Sequence, residues 1–313
     1  MNGKKTTEIL AFAGPNGNEI LFPVATITGK GDGPHFVITA GIHGAEYPAI
    51  VAAITLFNEL KTENVLGKIT IVTIASVNAF EARTPFVNPL DKKNPNRVFP
   101  GNPRGSYTDV LVHYLFNKII AEGDYYLDLH GGDLVEALEP FSLHHVGVNE
   151  LVDSKSRELA QYYALPNNIA TTTNSSWSDD GTSYANAAKL GIPSAIVEAG
   201  GIGQLDQDSV DLHLRGLKNV LRHFGCLKGE AFEPIGQHYY RDFIWLRSPV
   251  KGIFYCAVKL GDSLRTGQPV GTVVDYFGNL LVNIKAPVAG KLLFLTTSPA
   301  IAVEGLILGI GIK

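Results

Sequence analysis

Two short segments of the chain carry residue types that bind metal ions. His43 and Glu46 stand three residues apart in G-I-H-G-A-E, and His130 ends L-D-L-H before two glycines. Two imidazoles and one carboxylate are the ligands of catalytic zinc sites, which keep a fourth position open for water. Gly131 and Gly132 would leave space for a metal ion and a substrate close to the backbone. The spacing of His43 and Glu46 is common, so a loop histidine and an ordinary first-turn carboxylate are the alternative interpretation.

Two acidic residues could complete a hydrolytic centre. Glu198 ends the apolar segment A-I-V-E, where partial burial would raise its pKa towards that of a general base. Asp128 precedes His130 by two residues, so it lies on the same face of a strand and can orient the imidazole. A buried structural glutamate and a strand-end histidine are the alternatives. The set predicts metal-assisted hydrolysis, with Glu198 moving a proton from the attacking water to a leaving amine.

A long polar segment, residues 78–105, supplies amide and cationic groups. It contains N-P-N-R-V-F-P-G, in which Asn96 and Arg97 can hold a substrate carboxylate through an amide donor and a bidentate guanidinium. Arg83, earlier in the same segment, is placed to stabilise a developing oxyanion. An ordinary surface charge is the alternative for either arginine, and it weighs more for Arg83. Loops of this length inside compact domains are usually functional or disordered.

Alternating strand and helix patterns must position these residues. The pattern predicts strands at 19–29, 35–41, 68–77, 124–129 and 194–198, and helices at 45–60, 107–122, 151–163, 182–190 and 206–224. This alternation predicts an α/β domain whose parallel or mixed sheet is covered on both faces. Ligands gather at the carboxyl ends of strands in such sheets, where His43, His130 and Glu198 all lie. Three separate segments therefore point to one site.

The pattern changes after residue 227. Residues 239–313 are short apolar runs separated by Gly, Pro and Asp, which predicts a small all-β module of strands and tight turns. The chain of 313 residues is long enough for a large domain with a smaller one beside it. We therefore predict a catalytic domain over residues 1–227 and an all-β domain over residues 228–313.

Composition excludes several classes of function. Hydrophobic residues make up 45 % of the chain and charged residues 18 %, which argues against disorder. The net charge is −4 and no basic run occurs, so a nucleic-acid partner is not expected. No apolar stretch suits a secretory signal or a membrane span, so we expect a cytoplasmic protein without a membrane partner. Cys226 and Cys256 are predicted to be reduced structural thiols.

Three weaker features are interpreted as structural. His144-His145 is predicted to be a pair on a strand with one exposed member. Tyr184 is predicted to pack a helix against the rest of the protein. Asp179-Asp180 is predicted to form a solvated turn and a helix cap, since short acidic side chains favour those positions.

Taken together, the motifs resemble those of the succinylglutamate desuccinylase/aspartoacylase family, a branch of the carboxypeptidase-like zinc hydrolases. The resemblance rests on G-I-H-G-A-E-Y-P, N-P-N-R-V-F-P-G, L-D-L-H-G-G-D and V-E-A-G-G, which occur in the family's order over nearly the whole chain. It implies a three-layer carboxypeptidase-like α/β domain with a mixed sheet, followed by a small barrel-sandwich-like β domain. It also implies one zinc ion per chain, held by His43, Glu46 and His130.

The resemblance further assigns roles to the remaining residues. It makes Glu198 the general base, Asn96 and Arg97 the clamp for the substrate carboxylate, and Arg83 the arginine that polarises the carbonyl. The chain departs from the family in two places: it has N-P-N-R where many relatives carry D-L-N-R or N-L-N-R, and Arg83 lies further upstream of Arg97 than in aspartoacylase. The C-terminal turns resemble those of biotinyl and lipoyl carriers, but Lys285 is not flanked by methionines as in a biotin carrier.

The leading prediction is a zinc-dependent amidohydrolase that removes the acyl group of an N-acylated amino acid or a similar small amide. A zinc carboxypeptidase acting on peptides is the alternative within enzymes, and the β domain disfavours it because such a domain narrows access to the site in the resembled family. A non-catalytic metal- or ligand-binding homologue is the alternative from another class. Glu198 and Arg97, which such a protein would usually lack, are both present. The sequence leaves open the acyl group, the amino-acid half of the substrate and the metal used in the cell. It also leaves open the oligomeric state, for which a homo-oligomer is one alternative.

Overall fold

The computed structural model of the protein describes residues 3–172 and 181–313. The first ten strands, in chain order, are β1 (Lys4–Ala13), β2 (Glu19–Thr28), β3 (Gly31–Ala40), β4 (Leu66–Val72), β5 (Tyr125–His130), β6 (Glu136–Leu138), β7 (Phe141–His145), β8 (Asn167–Thr171), β9 (Ser194–Glu198) and β10 (His238–Tyr240). The α-helices are α1 (Tyr47–Glu59), α2 (Val77–Ala82), α3 (Tyr107–Lys118), α4 (Glu150–Tyr162), α5 (Ser183–Lys189) and α6 (Gln207–His223). No described helix is long and apolar enough to cross a bilayer.

Within the described residues, nine of these strands form one sheet in the order β1-β2-β4-β3-β5-β9-β7-β8-β10. The central strands β4, β3, β5 and β9 pair in parallel. The pairs β1–β2, β2–β4 and β7–β9 are antiparallel. The sheet is therefore mixed, as the sequence predicts.

Helices cover both faces of the large sheet. Phe36 and Ile38 of β3 belong to a core that also contains buried residues of α1, α4 and α6. Val37, which points to the other face, belongs to a second core that contains α3. Burial on both faces explains why residues 36–40 are apolar except for Thr39 and show little alternation, as expected for a central strand.

The remaining strands build two smaller sheets. These strands are β11 (Asp242–Arg247), β12 (Gly252–Cys256), β13 (Ser263–Leu264), β14 (Pro269–Val274), β15 (Leu280–Lys285), β16 (Gly290–Thr296), β17 (Ala300–Ile301) and β18 (Leu306–Ile312). One sheet has the order β11-β18-β16-β13 and the other β15-β14-β12-β17. Phe254, Leu292 and Ile307 lie in the core that the two sheets share. An all-β segment after the α/β region agrees with the sequence prediction.

Two strand pairings cross the division that the sequence places at residue 227. β10 pairs in parallel with β8 and so extends the large sheet. β6 pairs antiparallel with β16, with Glu136 opposite Thr296. The α/β region and the all-β segment are therefore joined by backbone hydrogen bonds as well as by the chain. The barrel-sandwich description and the exact division into two domains stay predictions.

Several local expectations are corrected by the structure. The strand predicted at 68–77 ends at Val72, and residues 77–82 form α2 where the long loop was expected to begin. β1 is an additional strand at the edge of the sheet, and its largely exposed residues lack a core pattern. His144 and His145 are both buried, because β7 lies between β8 and β9 inside the sheet.

Other structural expectations are confirmed, are wrong in part, or fall outside the described residues. Tyr184 is fully buried on α5, and its hydroxyl lies 2.7 Å from Thr171 Oγ1. Both cysteines are free thiols, and Cys226 is buried as predicted for a structural thiol. Cys256 is exposed, because it ends β12 with its side chain on the surface, so the prediction of a structural thiol is wrong for Cys256. Asp179-Asp180 lies outside the described residues.

Candidate active site

Two neighbouring strands and one helix bring the predicted metal ligands together. His43 follows β3, Glu46 precedes α1 directly, and His130 ends β5, the neighbour of β3 in the sheet. Nδ1 of His43 lies 2.8 Å from Glu46 Oε1, and Nδ1 of His130 lies 2.9 Å from Glu46 Oε2. One potential ligand atom from each residue lies within 4.8 Å of the others. The three side chains could therefore hold one metal ion.

Hydrogen bonds on the far side of each imidazole fix its orientation. Nε2 of His43 lies 3.0 Å from Asn94 Oδ1, and Nε2 of His130 lies 3.0 Å from Asp128 Oδ2. An oxygen acceptor at these positions holds the ring hydrogen on Nε2, which leaves the Nδ1 lone pair available to a metal ion. The prediction that Asp128 faces and orients His130 is confirmed as a contact.

Asp128 is itself fixed by donors from two other elements. Its side chain is fully buried, and Thr39 Oγ1 of β3 donates to Oδ1 at 2.6 Å. Ser183 Oγ, at the start of α5, donates to Oδ2. The carboxylate that orients His130 is therefore held by the sheet on one side and by a helix on the other.

The environment of Glu46 fits a bound cation. The side chain is 3 % exposed, and among the described residues Oε2 makes no hydrogen bond of good geometry, although His130 Nδ1 lies 2.9 Å from it. Burial opposes the ionisation of Glu46, but positive charge on protonated His130 and His43 outweighs it and lowers the Glu46 pKa to about 2. A metal ion bound to neutral imidazoles would supply positive charge at the same place. A buried carboxylate with an unsatisfied oxygen, between two imidazole nitrogens, is a donor set suited to a divalent metal.

Glu198 lies beside the potential ligands, at the end of the next strand. β9 pairs in parallel with β5, and Glu198 stands opposite His130 in the register. Burial raises the pKa of the Glu198 carboxyl well above its ordinary value, against the opposing effect of His130. A carboxyl group with a raised pKa next to a metal site has the property that a general base needs.

A cleft of about 540 Å³ opens over these residues. The residues of the candidate site that line it are His43, Glu46, His130 and Glu198. Residues of the all-β segment contribute to the lining as well, among them Trp245, Arg247, Thr296, Ser298 and Leu306. This volume falls in the range of small-molecule sites, so the cleft can enclose a compact ligand.

The predicted clamp residues also line the cleft. Asn96 is buried, and its Oδ1 accepts a hydrogen bond from the Ser183 backbone N–H at 2.8 Å. Arg97 is half-buried, and its Nη1 donates to the Asn96 carbonyl at 2.6 Å. Both residues therefore reach the site, and each has structural hydrogen bonds of its own.

Arg83 is placed differently. It is exposed and caps the C-terminus of α2 with a left-handed φ of 51°. It is not among the described residues that line the cleft. The structure thus brings together the three potential ligands, Glu198, Asn96 and Arg97, but not Arg83.

Residues 32–224 match the model of the succinylglutamate desuccinylase/aspartoacylase catalytic domain. The chain belongs to the succinylglutamate desuccinylase/aspartoacylase family. It is similar to N-alpha-acetyl-L-2,4-diaminobutyric acid deacetylase of Halomonas elongata, with 30 % identity over 262 residues. That alignment covers 82 % of this chain and 75 % of the relative.

Solved structures agree with the family assignment. The product-bound ectoine utilization protein EutE (DoeB) of Ruegeria pomeroyi matches with a TM-score of 0.89 and 24 % identity, covering 100 % of this chain and 96 % of that one. A succinylglutamate desuccinylase/aspartoacylase of Rhodobacter sphaeroides matches with a TM-score of 0.85 and 21 % identity, covering 99 % and 95 %. At these identities the likeness shows the fold, and the predicted family fold is confirmed at that level.

This member of the desuccinylase/aspartoacylase family also has site residues that the sequence did not reveal. Asn94 contacts His43, and Thr39 and Ser183 contact Asp128. Only Asn94 carried a signal, since it begins N-P-N-R beside the predicted clamp. Glu136 lines the cleft from β6, and no motif marked it.

Proposed function

We propose that the protein is a zinc-dependent deacylase that hydrolyses the amide bond of an N-acylated amino acid. The observation that carries this proposal is the position of Glu198, next to His130 and in the same cleft as the three potential ligands. The Halomonas elongata relative is named as a deacetylase of an N-acetylated amino acid, which supports the same bond as the target here.

The donor set supports zinc as the metal. His43, Glu46 and His130 provide two imidazoles and a carboxylate, the set found in catalytic zinc sites with an open position. Zinc held there would supply Lewis-acid chemistry towards water and the amide carbonyl. Asn94 and Asp128 would keep the two imidazoles in the tautomer that binds metal.

The protein's own groups then move the proton and position the substrate. Glu198 accepts a proton from the attacking water and delivers it to the leaving nitrogen, a task that suits a carboxyl with a raised pKa. Arg97 binds the carboxylate of the amino-acid half with Asn96 beside it, since a guanidinium can pair with a carboxylate through two hydrogen bonds.

The all-β segment favours a small substrate over a peptide. Trp245, Arg247 and residues 300–306 contribute one wall of the cleft, so residues 228–313 would limit the length of peptide that enters. We therefore propose residues 1–227 as the catalytic domain and residues 228–313 as the domain that narrows access to it.

The role of Arg83 needs a separate test, because its side chain is exposed outside the cleft lining. If Arg83 polarises the carbonyl, Arg83→Ala should lower kcat by about 100-fold or more, as the loss of an oxyanion donor does elsewhere. If kcat is unchanged, the role is excluded. Arg97→Ala is the matched variant, and it should raise KM because it removes the proposed carboxylate contact.

A substrate panel tests the proposed function. Zinc-loaded protein is incubated with N-acetyl, N-succinyl and N-formyl amino acids and with dipeptides, and free amine is measured. Turnover of N-acyl amino acids supports the proposal. Turnover of peptides alone would assign a carboxypeptidase, and tight zinc binding without turnover of any amide would assign a non-catalytic binding protein.

A further inference from the structure

Apolar side chains form one side of the cleft, and the proposed hydrolysis does not use them. They come from β6 and β7 of the α/β region and from β11, β16 and β18 of the all-β segment. The residues of this apolar wall are Leu138, Phe141, Trp245, Phe294 and Leu306. Ligand sites match an apolar lining to an apolar part of the ligand, so the wall indicates a hydrocarbon group on the substrate.

The apolar wall begins beside the proposed general base. β7 pairs antiparallel with β9, and Phe141 stands opposite Glu198 in the register. Side chains that stand opposite one another in an antiparallel pair share a face of the sheet, with Cβ atoms about 4.5–5.5 Å apart. Phe141 therefore lies on the same face as the Glu198 carboxyl. The apolar surface starts one strand beyond the group that would take a proton from the attacking water.

The apolar wall continues from the α/β region into the all-β segment. Leu138 stands opposite Phe294 in the antiparallel pair of β6 and β16. The rings of Phe294 and Trp245 pack edge to face, with centroids 4.8 Å apart. Leu138, Trp245 and Leu306 are only partly buried, so they offer apolar surface to a ligand. Contact with a hydrocarbon group would remove that surface from water and favour binding.

Two polar side chains next to the apolar wall have hydrogen bonds within the protein. Thr296 Oγ1 donates to the Leu306 carbonyl at 2.7 Å. Arg247 Nη1 donates to the Glu304 carbonyl at 2.8 Å. Because these groups already have acceptors, this side of the cleft favours hydrocarbon over a further polar group.

The strand order indicates which part of a substrate would meet the apolar wall. β5, β9 and β7 are neighbours in that order, so His130, Glu198 and Phe141 follow one another across the sheet. Asn96, a proposed contact of the substrate carboxylate, lies on the His130 side, with Nδ2 3.5 Å from His130 Nε2. In an N-acyl amino acid the carboxylate and the acyl chain lie on opposite sides of the amide bond. With the carboxylate near Asn96, the acyl chain points towards Phe141.

We propose that the apolar wall binds a hydrocarbon acyl chain longer than acetyl, so that the protein prefers N-acyl amino acids with such chains. This inference rests on the proposed deacylase function. The cleft of about 540 Å³ falls in the range that encloses drug-sized ligands, and an acetylated amino acid is smaller than these. Val303 and Phe86 line the same cleft and are 56 % and 43 % exposed, so a longer chain would cover further apolar surface.

A series of acyl groups on one amino acid tests the inference. Wild-type kcat/KM is measured for the N-acetyl, N-butanoyl and N-hexanoyl derivatives of the amino acid that is turned over best. Each added methylene group should raise kcat/KM about threefold, so hexanoyl should exceed acetyl by about 10- to 100-fold. N-Succinyl has the length of butanoyl but ends in a carboxylate, and its kcat/KM should be lower than that of butanoyl. Equal kcat/KM for all three chain lengths, or a preference for succinyl over butanoyl, would overturn the inference.

Two variants connect the chain-length preference to the cleft. Leu306→Asn places a polar group of similar shape on the apolar wall and should bring the hexanoyl-to-acetyl ratio of kcat/KM close to one. Ala302→Phe, at an exposed position of the cleft lining, should lower this ratio by filling space that the chain needs, without disturbing the core.

Leu281→Asn is the matched control for both variants. Leu281 is 47 % exposed on β15 and is not among the described residues that line the cleft. This variant should keep the wild-type ratio. The wild-type ratio in Ala302→Phe as well as in Leu306→Asn would show that the preference does not arise at the apolar wall.

Binding of free carboxylates separates this inference from the proposed function. If the wild type hydrolyses no N-acyl amino acid, the deacylase proposal fails by itself. Calorimetric titration of zinc-loaded protein with hexanoate and with acetate then still reports on the apolar wall. Tighter binding of hexanoate, with a negative heat-capacity change that Ala302→Phe abolishes, supports the inference. Equal binding of the two carboxylates contradicts it.

Discussion

The contact between Asp128 and His130 provides a sharp test of how the site is held. Asp128 is fully buried, its Oδ2 lies 3.0 Å from His130 Nε2, and Thr39 and Ser183 both donate to the same carboxylate. In Asp128→Asn the side chain keeps its volume but loses its charge. One amide group cannot accept all three hydrogen bonds, because its nitrogen is a donor. The tautomer and the orientation of His130 are then less well fixed.

The expected consequence is weaker metal binding. Loss of the group that orients a metal-binding histidine costs about 10- to 100-fold in affinity, which corresponds to about 1.4–2.8 kcal/mol. The zinc dissociation constants of wild type and Asp128→Asn are measured by competition with a chromophoric chelator. Thermal unfolding of both metal-free proteins shows whether the variant has lost stability as well.

Thr39→Val is a matched control, because it removes one donor to Asp128 and leaves the carboxylate beside His130. It should weaken zinc binding less than Asp128→Asn does. Equal zinc affinity in Asp128→Asn and wild type would refute the idea that Asp128 prepares His130 for the metal. Equal loss of affinity in both variants would point to general disturbance of this buried region instead.

Three further outcomes are expected. Glu198→Gln should bind zinc like the wild type but lose about 10²- to 10⁴-fold in kcat, measured with the best substrate of the panel. Gly132→Ala should lower both the melting temperature and kcat, because the new Cβ would stand 2.2 Å from the Glu136 carbonyl. Gly191→Ala, with no atom within 4 Å of its Cβ but a φ of +93°, should lower the melting temperature and leave kcat unchanged. Burial lowers the pKa of His144 to about 4. The unfolded chain therefore binds more protons between about pH 6.5 and pH 4 than the folded chain does. The contribution of neutral His144 to the free energy of unfolding is fully present above about pH 6.5, and up to about 3 kcal/mol of it is lost as the pH falls towards 4. Denaturant titrations at pH 7 and 4.5 should show a smaller loss in His144→Leu, and an equal loss would contradict this assignment.

The potential ligands were predictable because each one ends or follows a central strand. His43 and His130 stand at the carboxyl ends of β3 and β5, and parallel strands bring those ends to the same edge of the sheet. Glu198 follows from the same rule on β9. An apolar run that stops at a polar residue is a local signal, so the sequence alone contains it.

Features that depend on distant pairing were not predictable. Glu136 reaches the cleft because β6 pairs with β16, a strand near the end of the chain. β6 has only three residues, and so short a segment does not predict a pairing with a strand so distant in the sequence. Arg83 has the right residue type in the right segment, but α2 and its left-handed C-cap place it on the surface. His144 and His145 are both buried because their strand has a neighbouring strand on each side and helices against its faces. The local sequence F-S-L-H-H predicts neither the neighbouring strands nor the covering helices.

The central claim is that Glu198 and one metal ion together hydrolyse an N-acyl amino acid, and that the metal ion is held by His43, Glu46 and His130. Metal content and hydrolysis measured on the same samples of wild type, Glu46→Ala and Glu198→Gln test it most directly. The account predicts one zinc ion per wild-type chain, loss of hydrolysis on chelation and its return with zinc. It also predicts neither metal nor activity in Glu46→Ala, and metal with little activity in Glu198→Gln. Full hydrolysis by metal-free wild type, or by Glu46→Ala, would contradict the account.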